Sequence, residues 1–331
     1  MDFRYTQDQQ DLIDAAKSVF DGENTLARLR SLVANKLDTT EHAVDSDLST
    51  QFVELGLVAL MAPESDGGLE QPLVLMAGVA EAAGYVALPE PLIELAGIAV
   101  PLLSQMNESE LIGEVIDGTL SVGVISPLLT YNAGVEHHNA FFVTASDGGQ
   151  LVSKDKMEIQ ARQSIDPLRK LVACQHKSAH NALAEYHGAV LSAAQLIGLS
   201  QRMIDMSVEY AKDRQQFGKP IGSFQAVKHQ LANAYTQIEF SRPIIQLAAI
   251  QGGVAVHNAK IAAIDAATLA VETAIQVHGG MGYTYEVDLH LFMKRVWAVS
   301  AEWGDRNYHM KKVEDYLFNS DAQLGATQTF N

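Results

Sequence analysis

One cysteine, Cys174, stands in the whole 331-residue chain, and a lone thiol excludes any intrachain disulfide. Positive charge is scarce as well: 23 lysines and arginines face 40 aspartates and glutamates, a formal charge of −17. That balance argues against non-specific binding to nucleic acid or to an anionic membrane, since both attract net positive charge. It leaves room for a local basic pocket that holds a phosphate. Long apolar runs are missing too. Leu73 to Val86 and Leu92 to Leu103 are apolar but carry Glu81 and Glu94, and neither reaches the roughly 18 to 20 uninterrupted apolar residues that a membrane span needs. They read as buried helices. Met1-Asp2-Phe3-Arg4 opens an acidic, polar stretch without an apolar signal-peptide core, so the cytoplasm is the expected compartment. No internal repeat and no low-complexity linker interrupts the chain.

What is present suits a large globular core: 47% of the residues are hydrophobic and 19% are charged, over a length that accommodates two or three packed units. From Thr6 to about Asp117 the period is helical, with Leu12, Ala15, Ala16, Val19 and Phe20 on one face. Between about Thr119 and Ala182 short strands are expected at Ser121 to Ile125, Ala140 to Thr144 and Gln150 to Ser153. Ser146-Asp147-Gly148-Gly149 supplies hairpin chemistry between the last two. Helical periodicity then returns in long stripes, Val227, Leu231, Ala234 and Ile238 in one and Ile261, Ile264, Val271 and Ile275 in another, which suit a four-helix bundle. Pro243 either kinks one helix or separates two. The expected fold is therefore mainly α with a small β domain: an N-terminal helical domain over 1–118, a reduced middle β domain over 119–182 and a C-terminal four-helix bundle over 183–331.

Two segments carry the chemistry. Asp213-Arg214-Gln215-Gln216-Phe217-Gly218-Lys219-Pro220-Ile221-Gly222 with Gln225 beyond it, and Gln276-Val277-His278-Gly279-Gly280-Met281-Gly282, resemble the signatures of the acyl-CoA dehydrogenase flavoproteins. The glycine run is not a dinucleotide-binding fingerprint, because it follows a predicted helix rather than a strand. The order helix, β, helix bundle is also that family's, and Glu54-Leu55-Gly56-Leu57 leading to Pro63-Glu64 and Gly67-Gly68 resembles its N-terminal signature. The resemblance implies that Arg214 reaches the pyrophosphate of an FAD bound mainly by a neighbouring subunit, with Phe217 packing beside it and Gln225 one turn into the next helix. A guanidinium suits phosphate because it neutralises and hydrogen-bonds its oxygens together. Gln276, Gly279 and Gly280 would let backbone approach the adenosine diphosphate half, although such glycines also serve as plain helix caps. His278 reads as a packed or solvated helix end.

The departures from the family are as informative. Its catalytic Glu, which removes the α-proton of an acyl-CoA thioester while hydride passes to the flavin, corresponds here to Trp303. Glu302 comes one residue early, and on a helix that offset turns a side chain by about 100°. Some relatives place the base in a Glu-Arg pair on the preceding bundle helix, in register with Gly188-Ala189 here; Glu185, one turn back, reads as a helix N-terminal acid. The family's flavin-ring loop is replaced by Ile125-Ser126-Pro127-Leu128-Leu129. Ser164 to Lys170 resembles an Asp-Pro-x-Arg segment of heteromeric steroid side-chain enzymes, and a turn held by an Asp166-Arg169 pair explains it equally well.

Together these imply a base-deficient subunit that completes the FAD site of a catalytic acyl-CoA dehydrogenase subunit in an α2β2 assembly. The substrate would be an acyl-CoA from steroid side-chain or fatty acid degradation, and the acceptor an electron-transfer flavoprotein or similar carrier. One alternative is a self-sufficient homo-oligomeric dehydrogenase with Glu302 as base, which would need a raised pKa. Another is a flavin-free helical scaffold. Asp305 and His309, four apart on a predicted helix, read as a surface contact rather than a metal site, since a di-metal bundle needs Glu-x-x-His pairs from two helices.

Overall fold

The computed structural model describes residues 3, 5–23, 25–38 and 46–320; Met1, Asp2 and Arg4 of the N-terminal stretch lie outside them. The helical period of the first part is realised as α1 (Gln7–Glu23), α2 (Leu26–Asp38), α3 (Ser46–Glu54) and α4 (Leu73–Tyr85). In α1 the stripe closes on Ile13, Ala16 and Phe20, which are buried. Apart from Glu81, helix α4 is apolar all round, as expected of a helix enclosed by others, and packs between α1 and the long helix α8 (Ala182–Asp213). Glycines set how closely α4 and α8 cross. A Cβ on Gly198 would lie 1.9 Å from the Glu81 carbonyl oxygen, and one on Gly84 would lie 2.2 Å from that of Gln195, so no larger residue fits at either point.

The second apolar run forms α5 (Leu92–Glu94), a π-helical turn (Leu95–Ala99) and α6 (Val100–Gln105), followed by α7 (Ser109–Ile116). The π turn directly follows Glu94, and such turns often mark functional positions.

The middle part holds two three-stranded sheets. β1 (Val122–Ile125) pairs in parallel with β3 (Ala140–Ala145), which forms a hairpin with β4 (Gly148–Ser153); β2 (Asn132–Ala133), β6 (Leu171–Cys174) and β5 (Ile159–Arg162) make the second sheet. The hairpin turns at Ser146-Asp147, because Ala145 already pairs with Gly148; both glycines belong to the strand.

Helix α8 begins at the N-cap Asn181, whose side chain accepts from the Ala184 amide at 3.0 Å. It packs with α9 (Gln225–Gln251), α10 (Val254–His278) and α11 (Leu289–Ala301), and α12 (Arg306–Asn319) lies on α10. The predicted stripes face this core: Leu231, Ala234, Ile238, Ile264 and Val271 are buried. Pro243 does not divide its helix, since α9 runs through it unbroken. By length and composition Val254–Tyr283 is apolar enough to cross a bilayer, but its most apolar window is 56% buried inside the protein, so that apolarity serves the bundle core.

Candidate active site

The two motif segments meet at one end of the bundle. Tyr210, in the last turn of α8, stacks on His278 at the end of α10, with ring centroids 4.4 Å apart. This contact brings Arg214 and the stretch from Gln276 to Gly280 to the same pole. Arg214 caps α8 through its amide, bonded to the Tyr210 carbonyl at 2.9 Å, and its side chain is exposed. Beyond it, β7 (Gln215–Gln216) and β8 (Lys219–Pro220) form a miniature hairpin. Its two central residues, Phe217 and Gly218, have φ of 54° and 78°, the left-handed pair of a type I′ turn. The turn presents Phe217 91% exposed, edge-on against Phe224. Gln225 is the first residue of α9 rather than one turn in, and it is exposed.

At the other segment Gln276 is exposed, and Gly279 caps α10 with φ 58° while its amide bonds to the Gln276 and Ile275 carbonyls. Nothing lies within 4 Å of the place where a Cβ would stand on Gly279 or Gly280. The surface there is open to close approach. His278 is buried, with Nδ1 2.8 Å from the Ala274 carbonyl oxygen, which makes it a packed helix end.

A second constellation lies toward the other end of α8, around an inner cavity of about 60 Å³ lined by residues of all three parts of the chain. Asp166, buried behind that lining, ties together two of its residues, Arg169 and Arg295. Its Oδ2 accepts from Arg169 Nε at 3.1 Å and from Arg295 Nε, and Arg169 Nη2 reaches Glu302 Oε1 at 2.7 Å. Arg295 also donates to the Leu88 carbonyl at 2.8 Å. Burial by itself would raise the Asp166 pKa, but Arg295 and Arg169 outweigh it and hold the carboxyl below its usual range. The sequence-level turn Asp166-Arg169 is thus real and extends into a buried network.

Glu302 does face this cavity, contrary to the rotation argument. Helix α11 stops at Ala301 and Glu302 has extended backbone, φ −77° and ψ 143°, so the helical 100° step does not apply to it. Its carboxylate is taken up by Arg169. Glu94, which the sequence marked only as a charge within an apolar run, also lines the cavity. Its Oε1 accepts from the Val124 amide at 2.9 Å, and burial pushes its carboxyl up to about 7.

Trp303, in the register of the family's base, is buried against Gly188, the register of the alternative base. A Cβ on Gly188 would fall 2.1 Å from Trp303 Cδ2; the two departures are therefore sterically complementary. The Trp303 carbonyl is 3.1 Å from His309 Nε2, and His309 Nδ1 is 2.8 Å from His257 Nδ1. His309 is buried rather than a surface residue, packed between the Trp303 carbonyl and His257, while Asp305 caps α12 through the Tyr308 amide. Burial pushes His309 down to about 3. Glu185 sits in the first turn of α8, paired with His180 at 2.5 Å. Lys260, fully buried in α10, was missed by the sequence reading altogether. It donates to Ser192 Oγ at 2.6 Å and to the Val299 carbonyl at 3.0 Å. Among the described residues no group of His, Cys, Asp and Glu is arranged to hold a metal ion.

Comparison with known proteins agrees with this architecture. Residues 182–317 match the acyl-CoA dehydrogenase C-terminal domain family. The chain is 33% identical over 275 residues to the acyl-CoA dehydrogenase IpdE2 of Mycobacterium tuberculosis, covering 81% of this chain and 85% of that one. Its fold is similar to a chain of the ChsE4-ChsE5 complex from Mycobacterium tuberculosis, with TM-score 0.84 and 22% identity over 97% of this chain and 100% of that one. It is also similar to the Tcur3481-Tcur3483 steroid ACAD, with TM-score 0.82 and 22% identity over 95% and 98%. With two motif segments converging at one pole, a helix, β, helix order and a relative matched along most of both chains, this protein belongs to the acyl-CoA dehydrogenase family, whose members are oxidoreductases acting on CH–CH bonds.

Proposed function

We propose that this chain is the base-deficient subunit of a heteromeric acyl-CoA dehydrogenase and completes the FAD site of a catalytic partner in an α2β2 assembly. The observation that carries this reading is a separation. Gly188, at the inner cavity, and Arg214 are 26 residues apart along α8 and its cap, which at about 1.5 Å per residue is about 39 Å. The exposed cluster of Arg214, Phe217, Gln225, Gln276, Gly279 and Gly280 therefore serves a ligand that does not sit in this chain's own cavity.

The cluster fits the pyrophosphate half of FAD. Arg214 offers a solvent-facing guanidinium with no side-chain bond to the described residues, Phe217 offers a free aromatic face, and the two open glycines admit backbone approach. Bound FAD supplies the hydride acceptor for α,β-dehydrogenation of the thioester. This chain supplies binding and charge neutralisation. The Glu302 carboxylate is committed to Arg169, which favours a partner that provides the base. A steroid-derived acyl-CoA is the favoured substrate class, by likeness to the Tcur3481-Tcur3483 steroid ACAD, and an electron-transfer flavoprotein-like carrier is the favoured acceptor, with the cytoplasm as the compartment.

Visible absorbance and native mass test the reading. The chain purified alone should be colourless, and co-expression with an acyl-CoA dehydrogenase encoded beside it should give a yellow complex with one flavin per heterodimer. Arg214→Ala should lower the flavin content of that complex. A yellow homo-oligomer with one flavin per chain would overturn the proposal, and flavin content unmoved by both Arg214→Ala and Gln276→Ala would favour a scaffold instead.

A further inference from the structure

Two cavities of this chain share Trp303 as a lining residue. On one side lies the inner cavity of about 60 Å³, walled by Glu94, Arg169, Ser192 and Glu302; on the other lies an outer cavity of about 230 Å³, walled by Glu185, Tyr186, His257, Tyr308 and Lys312. Trp303 is the one described residue that belongs to both linings. Trp303 is thus where the two cavities meet.

That residue is fixed in place. Trp303 has φ +58° and is followed by Gly304 at +96°, and a bulky aromatic residue keeps a left-handed backbone only where its surroundings over-determine it. Three contacts do so here. The ring is seated on Gly188, where any Cβ would lie within 2.1–2.5 Å of three indole carbons. The carbonyl is held by His309, which is itself held by His257. The turn beyond Gly304 is pinned by the Asp305 cap on the Tyr308 amide at 2.8 Å. The moulded glycine, the buried histidine and the helix cap together hold one strained residue in one place.

Resting on the reading of this chain as the base-deficient subunit, we propose that Trp303 is a built-in plug that excludes an acyl thioester from this chain's own cleft. The outer cavity, with Lys312, His257 and Glu185 at its wall, offers polar contacts to the head of such a molecule. Its acyl chain would need the inner cavity, where Ile93, Ile98 and Leu191 share the wall with the charged groups of Glu94, Arg169 and Glu302. The indole stands across the passage between them. Only the partner's site in each heterodimer then binds substrate, and loss of the base is matched by loss of the space the substrate would fill.

S-octyl-coenzyme A, a thioether that cannot undergo α-proton removal, is a suitable probe. Its stoichiometry on the flavin-loaded heteromeric complex is measured by calorimetry for the wild type, Trp303→Phe and Trp303→Gly, with flavin content recorded for each. Glycine suits this position because it accepts the positive φ. One molecule per heterodimer is expected for the wild type and Trp303→Phe, and two for Trp303→Gly. A Trp303→Gly complex with full flavin that still binds one molecule would overturn the plug. Failure of the wild-type chain to assemble a flavin-loaded complex would instead count against the subunit reading, so the two are distinguishable. A second measurement does not depend on the glycine variant folding. The chain has two tryptophans, so Trp297→Phe leaves Trp303 as the only indole. Its emission and acrylamide quenching in the purified full chain should not respond to S-octyl-coenzyme A; a response would overturn the proposal.

Discussion

Replacing Lys260 with methionine should change how stability depends on pH, and the direction follows from where the amine sits. Lys260 is fully buried between α8 and α11, with Ser192 Oγ and the Val299 carbonyl as acceptors. Burial lowers its pKa from the ordinary 10.5 to about 7, against a smaller upward pull from Glu302. Between those values the unfolded chain holds a proton on this lysine that the folded chain does not, so stability rises with pH across that window. The slope approaches 1.36 kcal/mol per pH unit where the difference is complete, which integrates to about 3 kcal/mol between pH 7 and pH 10. Lys260→Met removes this contribution. The variant also leaves Ser192 and Val299 without their donor, but that offset does not vary with pH in this range. Urea midpoints of wild type and variant at pH 7, 8, 9 and 10 give the test: the wild type should gain steadily relative to Lys260→Met. Two parallel curves would refute the reasoning, because they would mean that the lysine keeps its proton in the folded protein.

Other expectations are simpler to state. Gly188→Ala should destabilise the chain by about 1–3 kcal/mol through overpacking against the indole, and the same change in a Trp303→Gly background should cost much less; equal costs in both backgrounds, read from urea midpoints, would disprove the contact. Asp166→Asn leaves the buried Arg295 guanidinium without its counter-charge, while the half-buried Arg169 keeps Glu302, and should cost about 3–5 kcal/mol, again read by urea unfolding, whereas a loss below about 1 kcal/mol would mean that the network is not what joins the middle part to the bundle. Glu94 is raised above its ordinary value, so its folded carboxyl keeps a proton that the unfolded one loses above about pH 4.5. Wild-type stability should therefore fall relative to Glu94→Gln as pH rises toward 7; a constant difference would place the carboxyl in solvent.

The bundle was legible because its signals are local and periodic. Leu231, Ala234 and Ile238 recur at helical spacing and are buried as that spacing requires. The motif residues around Arg214 and Gln276 were legible because a short segment specifies both its turn and its exposed side chains. Contacts between distant segments were not. Nothing local to Gly188 announces that an indole from residue 303 will lie on it, and nothing local to Lys260 announces acceptors from α8 and α11. Glu302 was misjudged because the end of α11 could not be placed to the residue, and one residue of extended chain cancels a helical rotation. Burial of His309 was likewise set by partners outside its own helix, His257 and the Trp303 carbonyl. The parallel pairing of β1 with β3 was equally invisible, since pairing partners are chosen by tertiary packing rather than by strand composition.

The length of α8 has a genetic consequence. Its two ends lie far beyond the distance at which substitutions normally influence one another, roughly 7–10 Å. Lesions at the Trp303 end and lesions at the Arg214 end should therefore behave as two independent classes, additive when combined. A lineage carrying such a helix is free to erase one pole while natural selection continues to police the other.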